Sequence, residues 1–170
     1  MEANMQIIRL VLTIALLAVS SALFAQTITS DKLFYAAEEI NSLTKIIDSH
    51  AKSSQSLSKS SWQIMSADVR YIALMYRLAS IELAIVESKS TVNLKKYRFG
   101  NKNVGKDNQE EANTNFLTAW MLTQGQIKFF REMENEFGVQ ELIYIRNQLQ
   151  KTNQDFDNYA LALIKKYQKD

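Results

Sequence analysis

Cysteine and proline are both missing from this 170-residue chain, and glycine occurs only as Gly100, Gly105, Gly125 and Gly138. Without cysteine there is no disulfide, no lipid-modified cysteine, no thiol nucleophile, no c-type haem attachment and no cysteine-based metal site. Proline removes a backbone donor and clashes inside helices, while turns in β proteins draw heavily on glycine and proline. A chain nearly free of both has few places to reverse, so long helices are expected. An excess of either charge is also lacking. Twenty Lys and Arg against eighteen Asp and Glu leave a formal +2, which gives no reason to expect a nucleic-acid partner.

What is present begins with a leader. Arg9 precedes an apolar run from Leu10 to Val19, broken only by Thr13, and small residues follow up to Ala22 and Ala25. No acidic residue lies between Arg9 and Asp31. The run falls short of the roughly 20 apolar residues of a comfortable membrane span. Residues 1–25 therefore read as an export signal cleaved after Ala25, with Ala22 as the fallback; retention as a membrane anchor is the alternative. Residues 26–170 form one helical domain, periplasmic by expectation, that meets the membrane only through its signal. About 145 residues suffice to bury roughly two-thirds of the unfolded chain's surface.

Apolar residues recur in steps of three and four through four segments. They are Leu33, Ala36, Ile40, Leu43, Ile47 and His50; Trp62, Met65, Val69, Ile72, Tyr76, Ala79, Leu83 and Val86; Phe116, Trp120, Thr123, Ile127, Phe130, Glu134 and Phe137; and Leu142, Ile145, Leu149, Thr152, Phe156, Tyr159 and Leu163. Such spacing draws one stripe along one face of a helix, at the period that winds helices around each other. Tyr71, Leu74, Leu78, Ile81 and Ile85 add a second apolar face to the second segment, which predicts two sets of neighbours for it. The predicted fold is all-α, an antiparallel four-helix bundle with coiled-coil-like packing; three helices, one very long, is the alternative.

Capping chemistry sets the predicted boundaries. Ser30 before Asp31 caps the first helix. Residues 49–61, with seven serines, form the first connection. Ser60 and Gln63 have capping-box spacing ahead of the second stripe, and Asp107 with Glu110 repeats the pattern before the third. Gly138 breaks the third helix from the fourth, with Val139 packing back on Met133.

Catalytic and metal chemistry fail on inventory. His50 is the single histidine, and Asp48 beside it faces another side of the helix. Ferritin-like bundles need two Glu-x-x-His motifs, and neither occurs. His50 reads as a half-buried structural residue, with haem between it and Met65 as the competing idea. The pairs Glu38–Glu39, Glu110–Glu111 and Asp155–Asp157 diverge on a helix and read as solvated faces. No cofactor and no catalytic residue are expected.

Residues 89–106 carry Lys89, Lys95, Lys96, Arg98, Lys102 and Lys106 with no Asp or Glu among them, and Tyr97 and Phe99 lie inside the cluster. Lys95, Lys96, Tyr97, Arg98, Phe99, Lys102 and Lys106 are the candidate partner contacts, suited to an anionic envelope surface or an acidic protein face. A solvated connection whose charges suit the C-terminal end of the second helix is the plainer reading. Leu122, Thr123 and Gln126 give one L-T-x-x-Q match, which resembles the repeated motif of the Spy-type periplasmic chaperones, exported all-helical proteins poor in cysteine. The match spans five residues and lacks the second copy, so membership is not assigned. Gly125 is expected to mark close approach of a neighbouring helix. The functional expectation is a noncatalytic exported bundle that binds another envelope macromolecule, as chaperone, scaffold or interaction module, with self-association as a further use of its apolar stripes. A small-ligand or haem carrier, with a cavity among Trp62, Met65, Trp120 and Met121, is the alternative.

Overall fold

The computed structural model describes residues 28–88 and 107–168. Those residues form five α-helices: α1 (Ser30–Ser53), α2 (Lys59–Ser88), α3 (Asp107–Phe137), α4 (Leu142–Gln154) and α5 (Asp157–Tyr167). Cross-helix pairs give the topology. Ser30 bonds Glu87 while Asp48 pairs with Arg70, so α1 and α2 run antiparallel. Tyr76 packs on Phe116, and Asn108 bonds Glu82. Arg146 bonds Glu134 at one end of α3, and Tyr159 bonds Asn113 at the other. The pair α4 and α5 therefore lies end to end along α3 and makes the fourth rod of the bundle. It closes the ring against α1, where Thr152 meets Glu39 and Ser54 meets Glu141.

The stripes become the core. Leu33, Ile40, Ile47, Trp62, Val69, Tyr76, Phe116, Phe130, Leu142, Ile145 and Leu149 are all almost fully buried in one cluster. Burying a large apolar side chain contributes about 1.5–3 kcal/mol, so eleven such residues dominate what holds a chain without disulfides together. The second face of α2 divides. Ile81 and Ile85 are buried, whereas Tyr71 and Leu74 are exposed. Phe137, the last residue of the third stripe, is exposed because α3 ends there and the chain turns away beneath it.

The predicted caps need correction by one or two residues. Thr29 caps α1, its Oγ1 accepting the Lys32 N–H at 3.3 Å. Ser30 sits inside the first turn, where its N–H and hydroxyl both bond the Glu87 carboxylate and its carbonyl accepts the Ser80 hydroxyl at 2.7 Å. A tertiary partner has replaced the local one. Helix α1 runs on to Ser53, so the connection shrinks to residues 54–58, and Ser58 rather than Ser60 accepts the N–H of Ser61 at 3.1 Å.

Gly138 does end α3. Its φ of +68° is the left-handed conformation that side chains disfavour, and its N–H bonds the Glu134 carbonyl at 3.1 Å. Val139 is fully buried, and Met133 packs against the same core. The single very long helix is thereby excluded. The fourth stripe, read as one helix, is broken instead at Asp155–Phe156, where the Phe156 N–H bonds the Asn153 carbonyl at 3.0 Å in a tight turn. Neither glycine nor proline marks that break. Burial of Phe156 against Tyr76 and Phe116, with ring centroids 5.6 and 5.7 Å away, holds it.

Candidate functional site

Lys95, Lys96, Tyr97, Arg98, Phe99, Lys102 and Lys106 lie outside the described residues, as do the leader and its cleavage positions. The other sequence candidates are placed. His50 is half-buried and stacks on the Trp62 indole at 5.2 Å with 28° between the planes. Asp48 turns away to pair with Arg70. Met65 is buried in the core, but Met121 is 61% exposed, so Trp62, Met65, Trp120 and Met121 do not enclose one interior space. Among the described residues no group of three or more His, Cys, Asp and Glu is placed to hold a metal ion. None of the described helices is long and apolar enough to cross a membrane.

The paired carboxylates are less idle than expected. Glu38 pairs with Arg77 at 3.1 Å across α1 and α2. Asp157 accepts the Trp120 indole N–H at 2.8 Å, so it fastens α5 to α3. Sequence reasoning missed Glu141 altogether. The hydroxyls of Ser54 and Ser56 donate to its carboxylate at 2.7 and 2.9 Å, which clamps the serine-rich connection onto the start of α4. The Ser54 bond, then the residue's own backbone N–H, holds the Glu141 carboxyl below the usual range.

The feature that stands out lies on the outer side of α2 and α3. Asp68, Tyr71 and Ile72 on one helix face Met121, Leu122, Gly125 and Gln126 on the other, around a cleft of about 470 Å³. Tyr71 is 51% exposed, and one turn beyond Asp68 and Gly125 the side chains of Ile64 and Phe129 are exposed as well. Tyr71, Met121 and Leu122 thus share one cleft, with Ile64 and Phe129 exposed one turn further along their helices, whereas scattered single apolar residues need no explanation. Gly125 was expected to admit a neighbouring helix. A Cβ there would instead meet nothing within 4 Å, so the glycine deepens an open groove. Gln126 adds a polar demand. Its side chain is covered, and its Nε2 has no hydrogen-bond acceptor among the described residues. A covered amide donor without a partner costs about 1–3 kcal/mol.

The L-T-x-x-Q residues sit in the middle of α3 rather than at a helix start. Thr123 is buried, its hydroxyl donating to the Ala119 carbonyl at 2.7 Å, while Leu122 and Gln126 line the groove. The off-stripe residues Tyr71, Met121 and Leu122 were the signal that could have located the groove from sequence.

Comparison with known protein families, characterised proteins and solved structures gives no match.

Proposed function

We propose that this protein is an exported, noncatalytic helical bundle that binds another envelope macromolecule, and that it holds an extended apolar polypeptide segment in the α2–α3 groove. The observation that carries this reading is the unmatched pair of demands in one cleft. Tyr71, Met121 and Leu122 offer apolar surface, and beside them the Gln126 Nε2 lacks an acceptor among the described residues. A helix keeps its carbonyls bonded along its middle, whereas an extended segment carries free ones. An extended chain with apolar side chains therefore answers both demands, and a basic residue in it would suit Asp68 at the rim. The basic segment 89–106 joins the two helices that wall the groove and is proposed as a second contact, for anionic surface or acidic protein.

Replacing Gly125 with leucine fills the open space and tests the reading. Capture of a reduced, carboxymethylated polypeptide, permanently unfolded, should weaken about tenfold or more while the helical circular-dichroism signal is kept. Unchanged capture removes the groove from the account. Neutralising Lys95, Lys96 and Arg98 together should reduce association with anionic vesicles in low salt without lowering thermal stability. N-terminal sequencing of the protein from the envelope fraction should find Gln26 first.

A further inference from the structure

A second cleft opens on the opposite face of α3. Gln124, Ile127 and Arg131, spaced three and four apart, form one wall; Gln150, Asn153 and Gln154 of α4 and Asp157 of α5 form the other. Its volume is about 230 Å³, below the roughly 300–1,000 Å³ typical of pockets for drug-sized ligands. Two features set it apart from an ordinary polar crevice. Arg131 and Asp157 bring opposite charges to it without pairing, and among the described residues no carboxylate lies within ion-pair distance of Arg131. Asp157 spends one oxygen on the Trp120 indole, and among the described residues no donor or cation is paired with the other. At the inner wall, Asn153 is 1% exposed, and its Oδ1 accepts the Tyr76 hydroxyl at 3.3 Å. Its Nδ2 has no acceptor among the described residues.

We infer that this cleft binds a small zwitterion of the α-amino-acid type, with its carboxylate on Arg131, its ammonium on Asp157 and a side-chain oxygen toward Asn153. The chemistry discriminates among alternatives. A simple anion would suit Arg131 but meet the Asp157 carboxylate, and a simple cation would suit Asp157 but meet the guanidinium. A neutral sugar would use the amides and leave both charges unanswered. Gln124, Gln150 and Gln154 each present a donor and an acceptor, so a polar side chain, an amide above all, is matched on several sides.

Titration of the full-length domain with L-glutamine tests the inference, read by calorimetry and by the emission of Trp120, which bonds the proposed ammonium partner. Saturable binding is expected. N-acetyl-L-glutamine, without the ammonium, and L-glutaminamide, without the carboxylate, should each bind about tenfold more weakly or worse. Arg131→Gln should abolish the preference for glutamine over glutaminamide, and Asp157→Asn, which keeps an acceptor for Trp120, should abolish the preference over the N-acetyl form. Blocked forms that bind as well as glutamine overturn the assignment, as does glucose binding in preference or the absence of saturation into tens of millimolar. Filling the groove at Gly125 should leave this titration unchanged, so the two sites stand or fall separately.

Discussion

The two sides of the α2–α3 pair carry similar residues and treat them differently. On the inner side Tyr76 is fully buried with Phe116 and Phe156, the half-buried Tyr159 packs against them, and successive rings in the cluster stand 5.1–6.2 Å apart. Burial pushes the Tyr76 phenol well above its ordinary pKa. On the outer side Tyr71, Met121 and Leu122 remain open to solvent around Gly125. Side-chain chemistry does not explain the contrast. The inner side has a fourth rod whose Phe156 and Tyr159 close the seam, and the outer side, among the described residues, has none. An apolar surface on a helix becomes core or contact site according to whether a further element reaches it.

Substitutions on the two sides should differ most in stability. Phe116→Ala removes the ring at the centre of the inner cluster and should cost about 3–5 kcal/mol, whereas Met121→Ala on the outer side should cost within about 0.5 kcal/mol. Chemical denaturation followed at 222 nm reads both. Similar costs would mean that the outer side is also packed, and the groove would be lost with it.

A smaller effect with opposite signs separates the two glycines. Gly138→Ala forces a side chain into a positive φ and should destabilise by about 1 kcal/mol. Gly125→Ala lies within a helix, next to open space, and should stabilise by about 0.5–1 kcal/mol. Thermal melts of the two variants check the pair. Destabilisation by Gly125→Ala would show that the groove floor is occupied.

The smallest effect concerns how the closing rod is anchored. Hydrogen bonding to the Ser54 hydroxyl and to its own backbone N–H holds the folded Glu141 carboxyl below the ordinary glutamate value. The carboxylate's contribution to stability is therefore present above about pH 4.3, the unfolded value, and is lost as pH falls through the folded value. Replacing Ser54 and Ser56 with alanine should return the carboxyl toward its ordinary value and flatten that acid limb. Melting temperatures between pH 7 and 3 would show it, and identical profiles for variant and parent would remove the clamp.

Much of the fold was legible because helix periodicity and breakers act locally. The stripes around Leu33, Trp62, Phe116 and Leu142 fell where burial occurs, and Gly138 ended α3 because only a residue free of Cβ strain takes that φ readily. Caps were less legible because hydroxyl residues cluster near both starts, Thr27, Thr29 and Ser30 at one and Ser58, Ser60 and Ser61 at the other. Ser30 has capping chemistry, yet Glu87, fifty-seven residues away, claims its N–H and hydroxyl. The break before Asp157 carries no local signal at all. It follows from where Phe156 finds its aromatic neighbours. Of the two clefts, the residues were visible and their meeting was not, since Arg131 and Asp157 belong to different helices.

The sequence alone determined that this chain is built of long helices with one strongly apolar face each, because an i, i+3, i+4 pattern with almost no breakers leaves a hydrogen-bonded backbone few other ways to bury its side chains. Tertiary structure decided which surfaces stayed uncovered and which polar atoms went unmatched. Those outcomes depend on the register between rods distant in the chain, and no local preference encodes that register.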